Sequence, residues 1–532
     1  MRDIIIIGGG TAGSVLAERL TRSGRHQVTL VEAGGEPDDK FVKIPAGFAR
    51  LFKSRVDWAY ESEPQPAAGG RQVFIPRGRM LGGSSNINAQ IHQWCHPADF
   101  GDWVKAGATG WGWEEVVPVF REQEKWLGED PDQQRGHQGP MIISPNLNAH
   151  RLSTAFVDAA RREHVPPQVR YNGVHYQGAW IPELANFRAR RYSAYDAYLK
   201  PSLKRPNLQV LKETLVERIE VEDGQAVGVT VRRGERVETI PARGIVLAAG
   251  AFGSPQLLML SGLGDPKTLA SFGIQVKAEI PEVGQNLQDH PMSALICRSR
   301  GTDTLRKIES LPNLLRYIFL KRGPLGSNAV EAMVFAHSAG DPQAPPNIEL
   351  IFAPFEWRNQ GLDLPQIDAF GVGLVVVAPK SRGEVRIRSS NPTDQPVIDF
   401  NLLSDPAGAD VRVMLAALRL ARQICHSHPI SVYLDAEIFP GPDVIEDEEL
   451  REALGGMLQT VYHPTGTCRM GSDRGAVVDP TLRLNGIDRL WVVDASVMPQ
   501  VPRGHPNAVV AMIANRASGW IDAALSATSH AL

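Results

Sequence analysis

The chain opens on residues whose types and spacing suit the binding of a phosphorylated, ribose-bearing ligand. Gly8-x-Gly10-x-x-Gly13 follows at once on the β-branched run Ile4-Ile5-Ile6-Ile7. Glycines so placed permit a tight turn, let a pyrophosphate approach the backbone N–H groups at a helix start, here those of Thr11 and Ala12, and allow close packing of that helix on a strand. Glu32, followed by Ala33, lies 19 residues after Gly13 (32 − 13) and is placed to accept hydrogen bonds from a ribose. A second glycine loop, Gly82-Gly83-Ser84-Ser85, lets backbone approach a flat ligand and supplies hydroxyl and amide donors. Of 14 histidines most belong to the surface or a satisfied core. Two stand apart: His463 in Tyr-His-Pro-Thr-Gly-Thr, where proline and glycine fix a loop, and His505, just before Pro506. Imidazole, with an ordinary pKa of about 6.5, is the side chain best suited to moving a proton near neutrality.

The elements that must position these residues are legible around them. The apolar run before Gly8 fits a strand buried on both faces, Val15, Leu16 and Leu20 recur at helical spacing, and Gln27-Val28-Thr29-Leu30-Val31 reads as a second strand ending at Glu32. This is a βαβ unit, and by itself it does not separate FAD from NAD. Further strands are expected at 207–210, 215–219, 245–250 and 490–494, and Val509, Val510, Met512, Ile513 and Ile521 predict a helix after Pro506. Between about 296 and 455 the texture changes: 347–354, 372–378 and 383–388 read as strands, the last alternating as in a sheet wet on one face.

Composition bounds the class. With 532 residues, at about 150 per domain, the chain has room for several domains or two large ones. Charge is nearly balanced, 56 Lys+Arg against 59 Asp+Glu, so a nucleic-acid partner, which would want a basic face, is not expected. The 50 glycines and 39 prolines follow no period, which excludes collagen. Four scattered cysteines form no Cys-x-x-Cys pair, no signal-peptide pattern precedes the first strand, and no apolar run approaches the roughly 18–20 residues of a membrane helix. The expectation is a cytoplasmic, soluble protein with no membrane partner.

Residues 77–103 resemble the first signature of the glucose-methanol-choline (GMC) oxidoreductases, and residues 250–264 resemble the second. Gly284-Gln-Asn-Leu-Gln-Asp-His290, Tyr462-His-Pro-Thr-Gly-Thr467 and Val493-Asp-Ala-Ser-Val-Met-Pro499 resemble further family blocks in family order. The resemblance implies an FAD-dependent alcohol oxidase or dehydrogenase of α/β (α+β overall) class. It has a Rossmann-like FAD-binding domain (1–150, 200–295 and 456–532) and a substrate domain on a mainly antiparallel sheet (151–199 and 296–455).

It also implies roles. Besides the βαβ residues, Arg79, Leu81, Gly82, Gly83, Ser84, Asn88, Ala89, Val216, Ala249, Gly250, Asp494, Ala495 and Pro506 are expected to contact FAD. Some members attach FAD through a histidine one position before the asparagine; Ile87 stands there, so non-covalent FAD is expected. His463 matches the family's base and His505 its His-or-Asn partner. Two imidazoles flanking one hydroxyl can orient it while one takes its proton, and the helix after Pro506 would bring about half a positive charge to the flavin end that becomes anionic. Oxygen or another acceptor takes the electrons.

For the substrate, His92 and Trp94 depart from the usual family sequence and predict a primary alcohol that is polar or aromatic/heteroaromatic, with Phe352, Phe355 and Trp357 as further pocket candidates. Choline-like or sugar alcohols, a hydroxynitrile lyase on the same scaffold, and a flavin-binding protein without catalysis are the alternatives. His92, Cys95 and His96 fall within the flavin-loop motif, and no metal is expected.

Overall fold

In the strand Arg2–Ile7, residues Ile4, Ile5, Ile6 and Ile7 are at most 4% exposed, because neighbours flank the strand on both sides and helices cover it. It runs parallel to Val28–Val31 on one edge and to the C-terminal half of Arg236–Leu247 on the other. Leu208–Leu211 extends the sheet beyond Val28–Val31, and Leu490–Val492 pairs in parallel with Ile245 to Leu247. The first half of Arg236–Leu247 turns away into an antiparallel meander with Gln225–Arg233 and Leu215–Glu222. Helix Thr11–Thr21 packs on the C-terminal helix Asn507–Ser529, which brings the two ends of the chain together. The computed structural model describes residues 2–163, 165, 172, 177–301 and 304–529. The other positions of the two expected domains (1, 164, 166–171, 173–176, 302–303 and 530–532) lie outside the described residues.

A second sheet is antiparallel throughout, in the order Leu434–Phe439, Pro291–Ser299, Ala369–Val376, Ile348–Ala353, Ala332–Ala336, Gly178–Trp180, with Gln459–Thr460 also pairing with Pro291–Ser299. Because side chains alternate across a strand, its two faces have separate surroundings. Leu295, Leu350, Phe352, Phe370 and Leu374 enter a core with helices Arg151–Arg162 and Ala409–His426. Met292, Ala294, Ile351 and Ala353 turn the other way, to a cavity.

Two expectations shift. The boundary at 295/296 falls inside strand Pro291–Ser299, and Gln459–Thr460, assigned to the FAD unit, pairs with that strand. The alternating segment 383–388 contributes only Glu384–Arg386, in a separate two-stranded ribbon with Val397–Asp399.

Candidate active site

A cavity of about 600 Å³ runs between the C-terminal ends of the parallel strands and the second sheet. Gly8, Gly10, Thr11, Ala12, Glu32, Ala33, Arg79, Gly83, Ser84, Asn88, Ala89, Val216, Ala249, Gly250, Asp494, Ala495 and Pro506 line it, together with His463 and His505.

The cradle at the strand ends fits a dinucleotide. A Cβ on Gly10 would meet nothing within 4 Å on the protein side, and Gly10 caps helix Thr11–Thr21 without a side-chain cap, leaving first-turn amides available to an anion. Glu32 is held at the strand end by the Gly9 and Gly34 N–H groups, each donating at 2.7 Å, and burial raises its pKa. Asp494 accepts from Gly250 N–H (2.9 Å), Ser254 Oγ (2.6 Å) and Ser496 N–H (2.8 Å), tying strand end, helix start and loop together.

Three expected contacts stand behind the wall. Gly13 lies where a Cβ would come within 1.8 Å of the Gly8 carbonyl oxygen, so its service is helix-to-strand packing. Leu81 is fully buried beneath Gly9. Gly82, with φ +92°, donates its N–H to the Gly9 carbonyl at 2.7 Å and so locks the two glycine loops to each other.

At the other end the histidines meet. The rings of His463 and His505 lie 4.6 Å apart between centroids, at 80°. Two loops hold His463 in place: Gln288 and Thr465 exchange backbone hydrogen bonds (3.1 and 2.9 Å), and one oxygen of buried Asp289 accepts the N–H groups of both His290 and His463 (2.7 and 2.8 Å). That zipper requires glycine at 466, where φ is +92° and a Cβ would meet the Asn286 carbonyl at 2.5 Å. Burial pushes the Asp289 carboxyl up to about 7.

The sequence reading gave His290 no role, yet its Nδ1 lies 3.0 Å from Nδ1 of His463. Burial, and then the His505 charge, lower the His290 ring to about 3, so it is neutral. Its Nε2 is buried with no hydrogen-bond partner among the described residues, and the Pro502 and Val377 carbonyls near the ring favour its protonated form. With its hydrogen on Nε2, a neutral His290 accepts at Nδ1; His463 then donates its Nδ1–H, which leaves the lone pair on His463 Nε2. Burial first, then His505, His290 and Arg77, depress the His463 pKa well below the ordinary value, so it is an unprotonated base at neutral pH.

His505 is anchored from behind. Its Nε2 lies 3.0 Å from fully buried Glu349, and its backbone N–H donates to Gln93 Oε1 at 2.7 Å. Glu349 was detectable as a carboxylate inside the otherwise apolar segment 348–353, and on that strand it shares the cavity-facing parity of Ile351 and Ala353.

The substrate-pocket candidates need correction. His92 and Trp94 do not reach the cavity. Fully buried Glu124 draws them inward, accepting from Trp94 Nε1 (3.2 Å) and pairing with His92 Nε2 (3.1 Å) and Arg135 (2.8 Å), while Trp94 stacks on Phe120. Gln93, between them, is the member of this segment that serves the site. Phe352 has the opposite strand parity and stacks on Phe156 in the helical core. Phe355 packs beside Trp357, and of the two only Trp357 lines the cavity.

Residues 2–292 and 379–514 match the N-terminal and C-terminal profiles of the family described as GMC oxidoreductase. An alcohol dehydrogenase [acceptor] from Pseudomonas putida is 35% identical over 97% of this chain and 95% of its own. An oxygen-dependent choline dehydrogenase from Sinorhizobium fredii is 38% identical over 98% and 95%. Among solved structures, pyridoxine 4-oxidase from Mesorbium loti superposes with a TM-score of 0.90 at 32% identity, covering 98% of this chain and 99% of that one. With a dinucleotide cradle at one end of its cavity, a buried neutral imidazole at the other and matches along nearly its whole length, this chain belongs to the GMC oxidoreductase family and is an FAD-dependent, alcohol-oxidising enzyme.

Proposed function

We propose that the enzyme oxidises an uncharged, largely apolar primary alcohol, aliphatic or aryl, to its aldehyde, with His463 Nε2 as the base that takes the hydroxyl proton. Bound non-covalently in the glycine-lined cradle, FAD supplies the hydride acceptor. The chain's own residues do the rest. His290 fixes the His463 tautomer, Asp289 fixes the backbone beneath both rings, and His505, steadied by Glu349 and Gln93, gives the substrate oxygen its second partner. The division into an FAD-binding unit and a substrate unit, the latter taking in the whole of strand Pro291–Ser299 and its partner Gln459–Thr460, belongs to the same proposal.

One observation carries the substrate class. Every lining residue from the second sheet (Met292, Ala294, Ile296, Ile351, Ala353, Gly371, Val372, Gly373) is apolar. The one carboxylate with cavity-facing parity on strand Ile348–Ala353, Glu349, is covered by His505. A sugar would leave its hydroxyls unpaired against this wall, and each buried unpaired polar group costs about 1–3 kcal/mol. A quaternary ammonium would find no carboxylate there.

Anaerobic bleaching of the bound flavin by a panel of alcohols tests the reading. Long-chain and benzylic alcohols are expected to reduce it fastest, and His463→Ala to abolish the reaction. Choline or glucose as the best reductant would overturn the substrate class; rapid bleaching of His463→Ala would overturn the base. Hydrogen peroxide formed per alcohol consumed under air then separates oxygen from another acceptor.

A further inference from the structure

The helix Leu311–Leu320 is the least covered apolar element among the described residues. It stands on one buried side chain, Tyr317, whose hydroxyl donates to the Ala189 carbonyl at 3.0 Å. Leu311, Leu314, Leu315, Ile318 and Phe319, spaced i, i+3, i+4, i+7 and i+8, form one outward stripe, 38–76% exposed, and Leu320 adds a further exposed side chain at the end. Monomeric proteins rarely leave a contiguous apolar surface of this extent without a use for it.

The rim of the stripe is basic. Between residues 304 and 330 the sequence carries Arg306, Lys307, Arg316, Lys321 and Arg322 against a single acid, Glu309; Arg50 pairs with Glu309 at 2.6 Å and Arg306 with Asp368 at 2.9 Å, so the exposed cations of the rim are Lys307, Arg316, Lys321 and Arg322. The loop beneath the helix adds exposed Arg188 and Arg190, and the Arg190 charge reaches the Tyr317 hydroxyl. A short helix with a wide apolar face and a cationic border is the pattern of a segment lying in a lipid interface. A second copy of the chain would set this basic rim against itself, which disfavours self-association.

We propose that this face seats the enzyme on the surface of an anionic lipid bilayer, with the helix in the headgroup plane. Among the described residues no helix is long and apolar enough to cross a membrane, so the attachment is peripheral. It departs from the expectation that the protein has no membrane partner. The neighbouring segment Pro45–Leu51 packs on Pro324–Gly326, just past the helix, and supplies Phe48 to the cavity wall, so attachment here holds that wall close to the lipid.

The test is flotation of the holoenzyme with vesicles of phosphatidylcholine alone or mixed with phosphatidylglycerol. The wild type is expected to float with the anionic vesicles and to be released by salt. Leu315→Glu combined with Phe319→Glu should abolish flotation, and Arg316→Gln with Lys321→Gln and Arg322→Gln should weaken binding about a hundredfold, while all variants oxidise a water-soluble alcohol at the wild-type rate. Failure of the wild type to float, or flotation of both variants equal to that of the wild type, would overturn the proposal. So would sedimentation showing a wild-type dimer that the Leu315→Glu, Phe319→Glu variant dissociates, since the face would then belong to a second copy.

Discussion

Replacing His290 by leucine removes the acceptor that holds the His463 Nδ1 hydrogen at 3.0 Å, on the fully buried side of a ring whose other side lines the cavity. Two outcomes are open to the His463 ring. It keeps the hydrogen on Nδ1, unpaired and buried, at a cost of about 1–3 kcal/mol, or it moves the hydrogen to Nε2 and loses the lone pair that takes the substrate proton. Either way the competent tautomer is disfavoured by that amount. At about 1.4 kcal/mol per tenfold, the rate of flavin reduction should fall about five- to 140-fold. Stopped-flow bleaching under anaerobic conditions reads this rate directly, and its dependence on alcohol concentration reads substrate affinity, which should hardly change. His290→Asn is the matched control, because an amide oxygen can stand near the place of Nδ1 and accept the same hydrogen; it should recover most of the rate. If leucine and asparagine proved equally slow, the role of His290 would be packing alone. If leucine reduced flavin at the wild-type rate, the tautomer argument would fail.

Other consequences are open to measurement. Because burial and neighbouring positive groups depress the His463 pKa, its neutral form persists on the acid side of the ordinary histidine range. The profile of kcat/KM should therefore be flat from neutral pH upward and fall only in acid; His505→Asn, which removes the second largest cause of the depression, should move that acid limb toward neutrality. Gly10→Ala places a methyl in the open cradle, so FAD affinity should fall while apoprotein stability holds, whereas Gly13→Ala drives a methyl into the Gly8 carbonyl and should lower the melting temperature of the apoprotein itself. Ile87 offers no nucleophile to FAD, so acid precipitation should leave the yellow colour in the supernatant; colour retained on the pellet would reveal a covalent link through some other side chain.

What the sequence disclosed and what it hid follow one physical division. The βαβ unit was legible because its determinants are local: strand, turn and helix lie within the first 32 residues, and Gly13 contacts Gly8 five positions away. Two strands of the antiparallel sheet, Ile348–Ala353 and Ala369–Val376, were legible for the same reason, since apolar, β-branched runs mark strands locally, whereas Pro291–Ser299 and Ala332–Ala336, which pair beside them, were not read. Parity was only half legible. Alternation fixes that Phe352 and Ile351 point to opposite sides, but which side holds helices Arg151–Arg162 and Ala409–His426 is decided by chain far away, so the larger aromatic residue was wrongly given to the cavity.

His92 and Trp94 failed for a purely tertiary cause. Their direction is set by a carboxylate at 124 and a guanidinium at 135, and nothing in the order of residues 92–95 announces that partnership. His290 and Glu349 differ again. Both left a local trace: one as a histidine next to an aspartate inside a loop block, the other as a lone acid in an apolar strand. Burying an ionisable side chain is unfavourable unless a partner compensates, so a charged residue in a buried strand already implies a partner, and here the partner was one of the two histidines singled out for their chemistry. The signal for the extended site lay in residues that violated the pattern of their own element.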